Sequence, residues 1–198
     1  MLFTGNPNTN EPLRFAPGLL TNLSIVSFGG YTEYDGRNDE RGLTRGGYFY
    51  ARLAGNTGTG SRSQGYGWMD VELDGRAYIP LGSHRTSLAL RAYADLRKPY
   101  DDDDLIPFYQ LAVLGGRSFV RGFSNFRFRA NNLLLFAAEL RQTVWQQKET
   151  RGLDIIAFGD GGQIWGDHRP NLPPAFRGND EFNSSNWRFG AGFASYRC

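Results

Sequence analysis

The chain has 198 residues, room for one ordinary domain or one β-barrel of modest strand number. Its 22 Lys and Arg stand against 20 Asp and Glu, a net +2 that is too balanced to hold nucleic acid by phosphate neutralisation alone. Twenty-six glycines (about 13%, against roughly 7% in an average domain), ten tyrosines and only two methionines point to a β protein with many turns.

A mean hydropathy of −0.48 excludes a helical membrane protein. The longest clean apolar run, Leu133–Ala138, is far short of the ~18 residues that a membrane helix needs. Strands remain able to cross a membrane, because lipid-facing and lumen-facing residues alternate and the average hides the signal. The start, Met1 to Pro7, lacks a basic segment followed by an apolar core, so no secretory signal is read there. The expectation is a cytosolic chain, a mature form, or part of a longer product. A lone cysteine, Cys198, offers neither an internal disulfide nor a cysteine metal site.

Segments 22–35 and 46–56 read as strands joined by a polar loop, Asp35 to Arg45. Period two is clearest at 69–79, where Met69, Val71, Leu73, Ala77 and Ile79 alternate with Asp70, Glu72, Asp74, Arg76 and Tyr78. Beyond the short Pro80–Ser83 turn, Thr86, Leu88, Leu90, Ala92 and Ala94 face one way, and Ser87, Arg91, Tyr93, Asp95 and Arg97 the other. A long segment follows, roughly 98–130, with acids at Asp101 to Asp104 and many glycines. Alternation returns at 131–144, with Leu134, Phe136, Ala138 and Leu140 opposite Leu135, Ala137, Glu139 and Arg141. Two more strands are read at about 153–165 and Trp187–Tyr196.

Seven strands of about 10–14 residues exceed the roughly 5–6 of a soluble sheet and suit a tilted membrane strand of about 9–11. Short turns against long loops at 35–45, 98–130 and 166–186 match the asymmetry of outer-membrane barrels. Parity predicts that Val71, Leu73, Leu88, Leu90, Leu134, Phe136 and Leu140 face outward, with Glu72, Arg91, Glu139 and Asp160 on the concave side. Trp68, Trp145, Trp165 and Trp187 fall near strand ends, as an interfacial aromatic girdle requires. The competing fold is a soluble β-sandwich that binds ligands through Tyr and Trp.

The segment Ile106 to Phe123 contains Pro107-Phe108-Tyr109, Gly115-Gly116 and Val120-Arg121-Gly122-Phe123 in that order. It resembles the sixth-loop signature of the bacterial surface antigen family. These are the barrels of outer-membrane assembly factors, two-partner secretion transporters and chloroplast import channels. Phe158-Gly159-Asp160-Gly161-Gly162 is similar to the family's Phe-x-Asp-x-Gly strand. Asp35-Gly36-Arg37-Asn38-Asp39, with Thr44-Arg45-Gly46, is similar to a family strand-loop-strand element.

The resemblance implies an all-β, antiparallel transmembrane barrel portion of about seven or eight strands over 1–198. Its loop at about 98–130 folds inward, and Arg121 meets Asp160 or Glu139. The family barrel has sixteen strands, so an incomplete or half barrel is expected, lacking two terminal strands, about seven upstream ones and any preceding periplasmic domains. On the residues alone, Arg121 as a solvated loop arginine and Asp160 as a turn residue remain open.

Other candidates are weaker. Carboxylates suit calcium, but the consecutive acids at Asp101 to Asp104 point in different directions and read as a solvated loop. His84 and His168 read as surface residues. No nucleophile elbow, phosphate loop or His-Glu-x-x-His is present. The expectation is therefore a non-enzyme without cofactor or metal, in the bacterial outer membrane. Its expected partners are the lipid bilayer, polypeptide clients and a second copy pairing through open sheet edges, with no nucleic acid. A patatin-like lipase whose barrel alone is seen here is the alternative within the membrane.

Overall fold

The computed structural model describes residues 22–40, 43–60, 65–82, 85–101, 104–147, 151–166 and 182–197. Strands β1 (Leu23–Asp35), β3 (Leu43–Gly60), β4 (Tyr66–Pro80), β5 (Thr86–Pro99), β8 (Asn132–Gln147), β9 (Arg151–Trp165) and β10 (Arg188–Arg197) make one antiparallel sheet in that order. The short β2 (Asn38–Glu40) pairs only with β3. A two-stranded ribbon, β6 (Ala112–Leu114) with β7 (Phe128–Ala130), lies within the segment read as a long loop.

Most strands extend beyond their sequence-read limits. The run Thr57 to Gly60, weak in strand propensity at its glycines, is held because β1 and β4 reach it: Leu23 pairs with Gly60 and Gly58 with Tyr66. A bulge between Thr143 and Trp145 interrupts the β8–β9 register.

Side-chain parity sorts the sheet into two faces. On one face, Ile79, Leu88, Leu140, Ala157 and Phe193 form a row across five strands, and Leu90, Phe136 and Phe189 are exposed beside it. Leu134 belongs to this face and Glu139 to the other. Phe193 is 84% and Leu140 44% exposed, an extent of bare apolar surface that water-soluble monomers avoid. The opposite face carries the charges and the loop between β5 and β8. There Tyr93, Ala112, Leu114, Val120, Leu133 and Leu135 form one buried cluster; Tyr66, Trp68, Ile106 and Leu111 form a second. A sandwich would need a second sheet on the apolar face. Among the described residues the only other sheet is the β6–β7 ribbon, on the charged face.

Two expectations are corrected. Loop 35–45 does not share an end with 98–130 and 166–186. Antiparallel strands reverse at each connection, so it lies at the end of the Pro80–Ser83 turn, where β2 and β3 extend it as a hairpin. Trp68 is no girdle residue: it is 1% exposed, with the parity of Asp70, and packs beneath Ile106 and Leu111. Trp145 is exposed beside the bulge, while Trp187 stacks on Phe136 and Phe189 of the apolar face.

Candidate functional site

The loop enters the charged face through the β6–β7 ribbon and turns back at its tip. Gly115 (φ 115°) and Gly116 (φ 98°) take the left-handed conformations that let it reverse. The Gly116 N–H donates to the Phe123 carbonyl at 3.0 Å, closing the tip. A second turn follows at Val120–Phe123, where the Phe123 N–H donates to the Val120 carbonyl at 3.2 Å and Gly122 runs over Gly190.

Arg121 projects from this tip onto β9. Its Nε donates to Asp160 Oδ2 at 2.8 Å and its Nη2 to Asp160 Oδ1 at 2.7 Å, a two-bond fork. Its backbone N–H adds a third bond to Asp160 Oδ2 at 3.3 Å. The remaining Nη1 donates to Glu139 Oε1 at 2.7 Å, while Arg141 Nη2 takes Glu139 Oε2 at 2.6 Å. The guanidinium carbon lies 3.6 Å from the centroid of the Phe158 ring. The Asp160 hydrogen bonds raise the Arg121 pKa above its usual value, although partial burial opposes them. Asp160 has a fully buried side chain, so its charge is compensated by the loop and not by solvent.

Each position of the strand motif meets a separate part of the loop. Phe158 stacks under Arg121, Asp160 takes its fork, and Gly162 leaves space that Val120 and Leu114 fill. Phe123 stands edge-on to Phe128 at 5.3 Å, tying the tip back to the ribbon. Val120, Arg121, Gly122, Phe123, Glu139, Phe158, Asp160 and Gly162 are thus brought to one place.

Three residues at this place were not read as part of the site from the sequence. Gly190 and Gly192 lie on β10 opposite Asp160 and Phe158, and the open backbone there admits Gly122 and the Phe158 ring. Ala137 stands between Arg91 and Asp160 in register. The available signal was the two-residue spacing of Gly190 and Gly192, which empties one face of a strand.

Of the acidic run, Asp104 N–H bonds the Asp101 carbonyl at 3.1 Å, and its carboxylate lies beside Gly65 and Gly67. Among the described residues no group of three or more His, Cys, Asp or Glu could hold a metal ion. His84, His168 and Cys198 lie outside the described residues.

Comparison with known proteins gives the family. The chain is similar over 86% of its length to the crystal structure of BamA from Haemophilus ducreyi lacking POTRA domains 1–3, with a TM-score of 0.58 and 21% identity. It spans only 35% of that chain. No curated protein matches. The family model described as the Omp85 superfamily domain matches residues 19–194. A sheet with one bare apolar face and an inward loop pinned to its other face is the wall of such a barrel, and the chain belongs to the Omp85 superfamily, in the bacterial outer membrane.

Proposed function

We propose that this barrel wall serves in the insertion or export of polypeptides across the outer membrane, without enzymatic chemistry, and that Arg121 is the lock holding its loop inside the lumen. The observation that carries the reading is the Arg121 fork on fully buried Asp160, with Glu139 as second acceptor. Four hydrogen bonds fix a tip whose position sets what space the lumen leaves free. Surface antigen barrels that assemble or secrete proteins share this loop, and the resemblance carries the client class. The test is reconstitution of the outer-membrane protein in liposomes, with a urea-unfolded β-barrel as one client and a secreted β-helical segment as the other. Folding of the first supports assembly and passage of the second supports export. Failure of both, with hydrolysis of a lipid ester instead, would favour the lipase alternative.

The edges of β1 and β10 belong to the same proposal. Unpaired backbone groups in lipid cost several kcal/mol each, so further strands cover them, from the same barrel or from a second copy. The mass of the detergent-solubilised complex distinguishes the two.

Leu90→Arg and Leu140→Arg, on the apolar face, are expected to destabilise the protein in lipid by about 2–4 kcal/mol at the bilayer midplane. Urea titration in liposomes measures this. A change of a few tenths of a kcal/mol would show that this face does not meet lipid.

A further inference from the structure

The loop touches the sheet at a second place, on β5, three strands from β10. Arg91 on β5 places Nε 3.1 Å from Asp74 Oδ1 and Nη2 2.8 Å from Asp74 Oδ2. Its third nitrogen, Nη1, donates to the backbone carbonyl of Ser118 at 2.7 Å. Asp74 is buried and also accepts two bonds from Arg76, at 3.1 and 2.6 Å. One carboxylate therefore serves two guanidiniums and leaves Arg91 a donor to spend on the loop. Phe119, next to Ser118, stands edge-on to Tyr93 at 5.5 Å and lies under the Arg91 guanidinium at 5.8 Å. Tyr93 is held in turn by its hydroxyl, which donates to Glu72 Oε1 at 2.9 Å.

The register puts both contacts on one line. Arg76, Arg91, Ala137, Asp160 and Gly190 are consecutive partners across β4, β5, β8, β9 and β10. Charged side chains stand on either side of Ala137, which is too small to obstruct the backbone passing above it. At about 4.8 Å between strands, Arg91 and Asp160 are two strand spacings apart, roughly 10 Å.

We propose that Arg91, oriented by Asp74, is a positioning residue that braces the loop at a second point. The proposal rests on the reading of the loop as a fixed lumenal element and adds to it the means of fixing its direction. A tip held only by Arg121 can swing about that side chain. Held also at Ser118, on the far side of Ala137, it spans β8 from β9 to β5 as a strut. A lysine cannot do this, because one ammonium lacks the planar fork needed to take both carboxylate oxygens and still reach the carbonyl.

The test uses the outer-membrane protein folded in detergent, with tryptic cleavage at the exposed Arg117–Ser118 bond and hydrogen exchange of the Arg121 amide as separate readouts. Arg91→Leu is expected to raise cleavage at Arg117 about tenfold, the loss of one charge-assisted bond to a carbonyl. Arg91→Lys keeps a cation opposite Asp74, so the sheet folds, yet cleavage rises by a similar factor. Exchange at Arg121 stays within about twofold in both, because its partner Asp160 is untouched. If Arg91→Leu does not fold, Arg91→Lys alone decides. Cleavage within about twofold of the parent in Arg91→Lys would overturn the brace, since a merely structural ion pair with Asp74 survives that change. Arg121→Ala in the same assay tests the lock by itself: faster exchange there with unchanged Arg91 variants removes only the brace, and the converse removes only the lock.

Discussion

Replacing Arg121 by alanine is expected to release the loop tip while the strands stay folded. The change removes the fork to Asp160 and the bond to Glu139, and strands a carboxylate whose side chain has no exposure to solvent. Breaking one side of a buried pair costs about 3–5 kcal/mol. Arg121 is itself one-fifth exposed, so the lower end applies, about 3 kcal/mol or roughly a hundredfold in loop opening. Arg121→Lys should recover little of this, because an ammonium meets one carboxylate oxygen at a time and lies less well on the Phe158 ring. Hydrogen exchange across 118–124 measures the opening, and client folding in liposomes measures its consequence. Unchanged exchange together with unchanged client folding in Arg121→Ala would remove the lock from the proposed function.

The second large effect is steric and leaves every charge in place. A Cβ on Gly190 would stand 3.0 Å from the Gly122 nitrogen and 3.2 Å from Val120 Cγ1, so Gly190→Val presses on backbone that cannot rotate away. A Cβ on Gly162 would meet Leu114 Cδ1 at 2.7 Å and Val120 Cγ2 at 3.2 Å, within the buried cluster. Overpacking of this kind costs about 1–3 kcal/mol per site. The double variant is expected to lift the tip off the sheet despite an intact Arg121 and Asp160. Gly159→Val is the control: nothing lies within 4 Å of its Cβ position on the apolar face, and a β-branched residue suits a strand there. It should be neutral or stabilising in lipid. Equal loss of loop protection in Gly159→Val and Gly190→Val would mean that strand substitution, not contact with the loop, is what the assay reports.

Much of the wall was legible because period two is a local property. The alternation at 69–79 and 86–97 already separates Leu73 and Leu90 from Asp74 and Arg91, and no tertiary contact is needed to say so. Motif order added the pairing of Arg121 with Asp160 or Glu139, by resemblance to a family and not from spacing. Strand ends were less legible, since Thr57 to Gly60 becomes strand only when Leu23 and Tyr66 stand beside it.

What tertiary structure alone decided is where the loop runs over the sheet. Trp68 was assigned to the membrane interface by its place near a strand end, yet Ile106 and Leu111 cover it. The length of 35–45 suggested an outer loop, whereas the number of strand reversals sets its end. Arg91 could be placed on the inner face from sequence, but not opposite Ser118, because that meeting depends on a turn at Gly115-Gly116 and on ribbon pairing between Leu114 and Phe128. Side-chain direction along a strand alternates with the pleat of the extended backbone and is written residue by residue. The path of a loop across four strands is set by which distant side chains happen to be small, as at Ala137, Gly162 and Gly190, and that information exists only once the strands are in register.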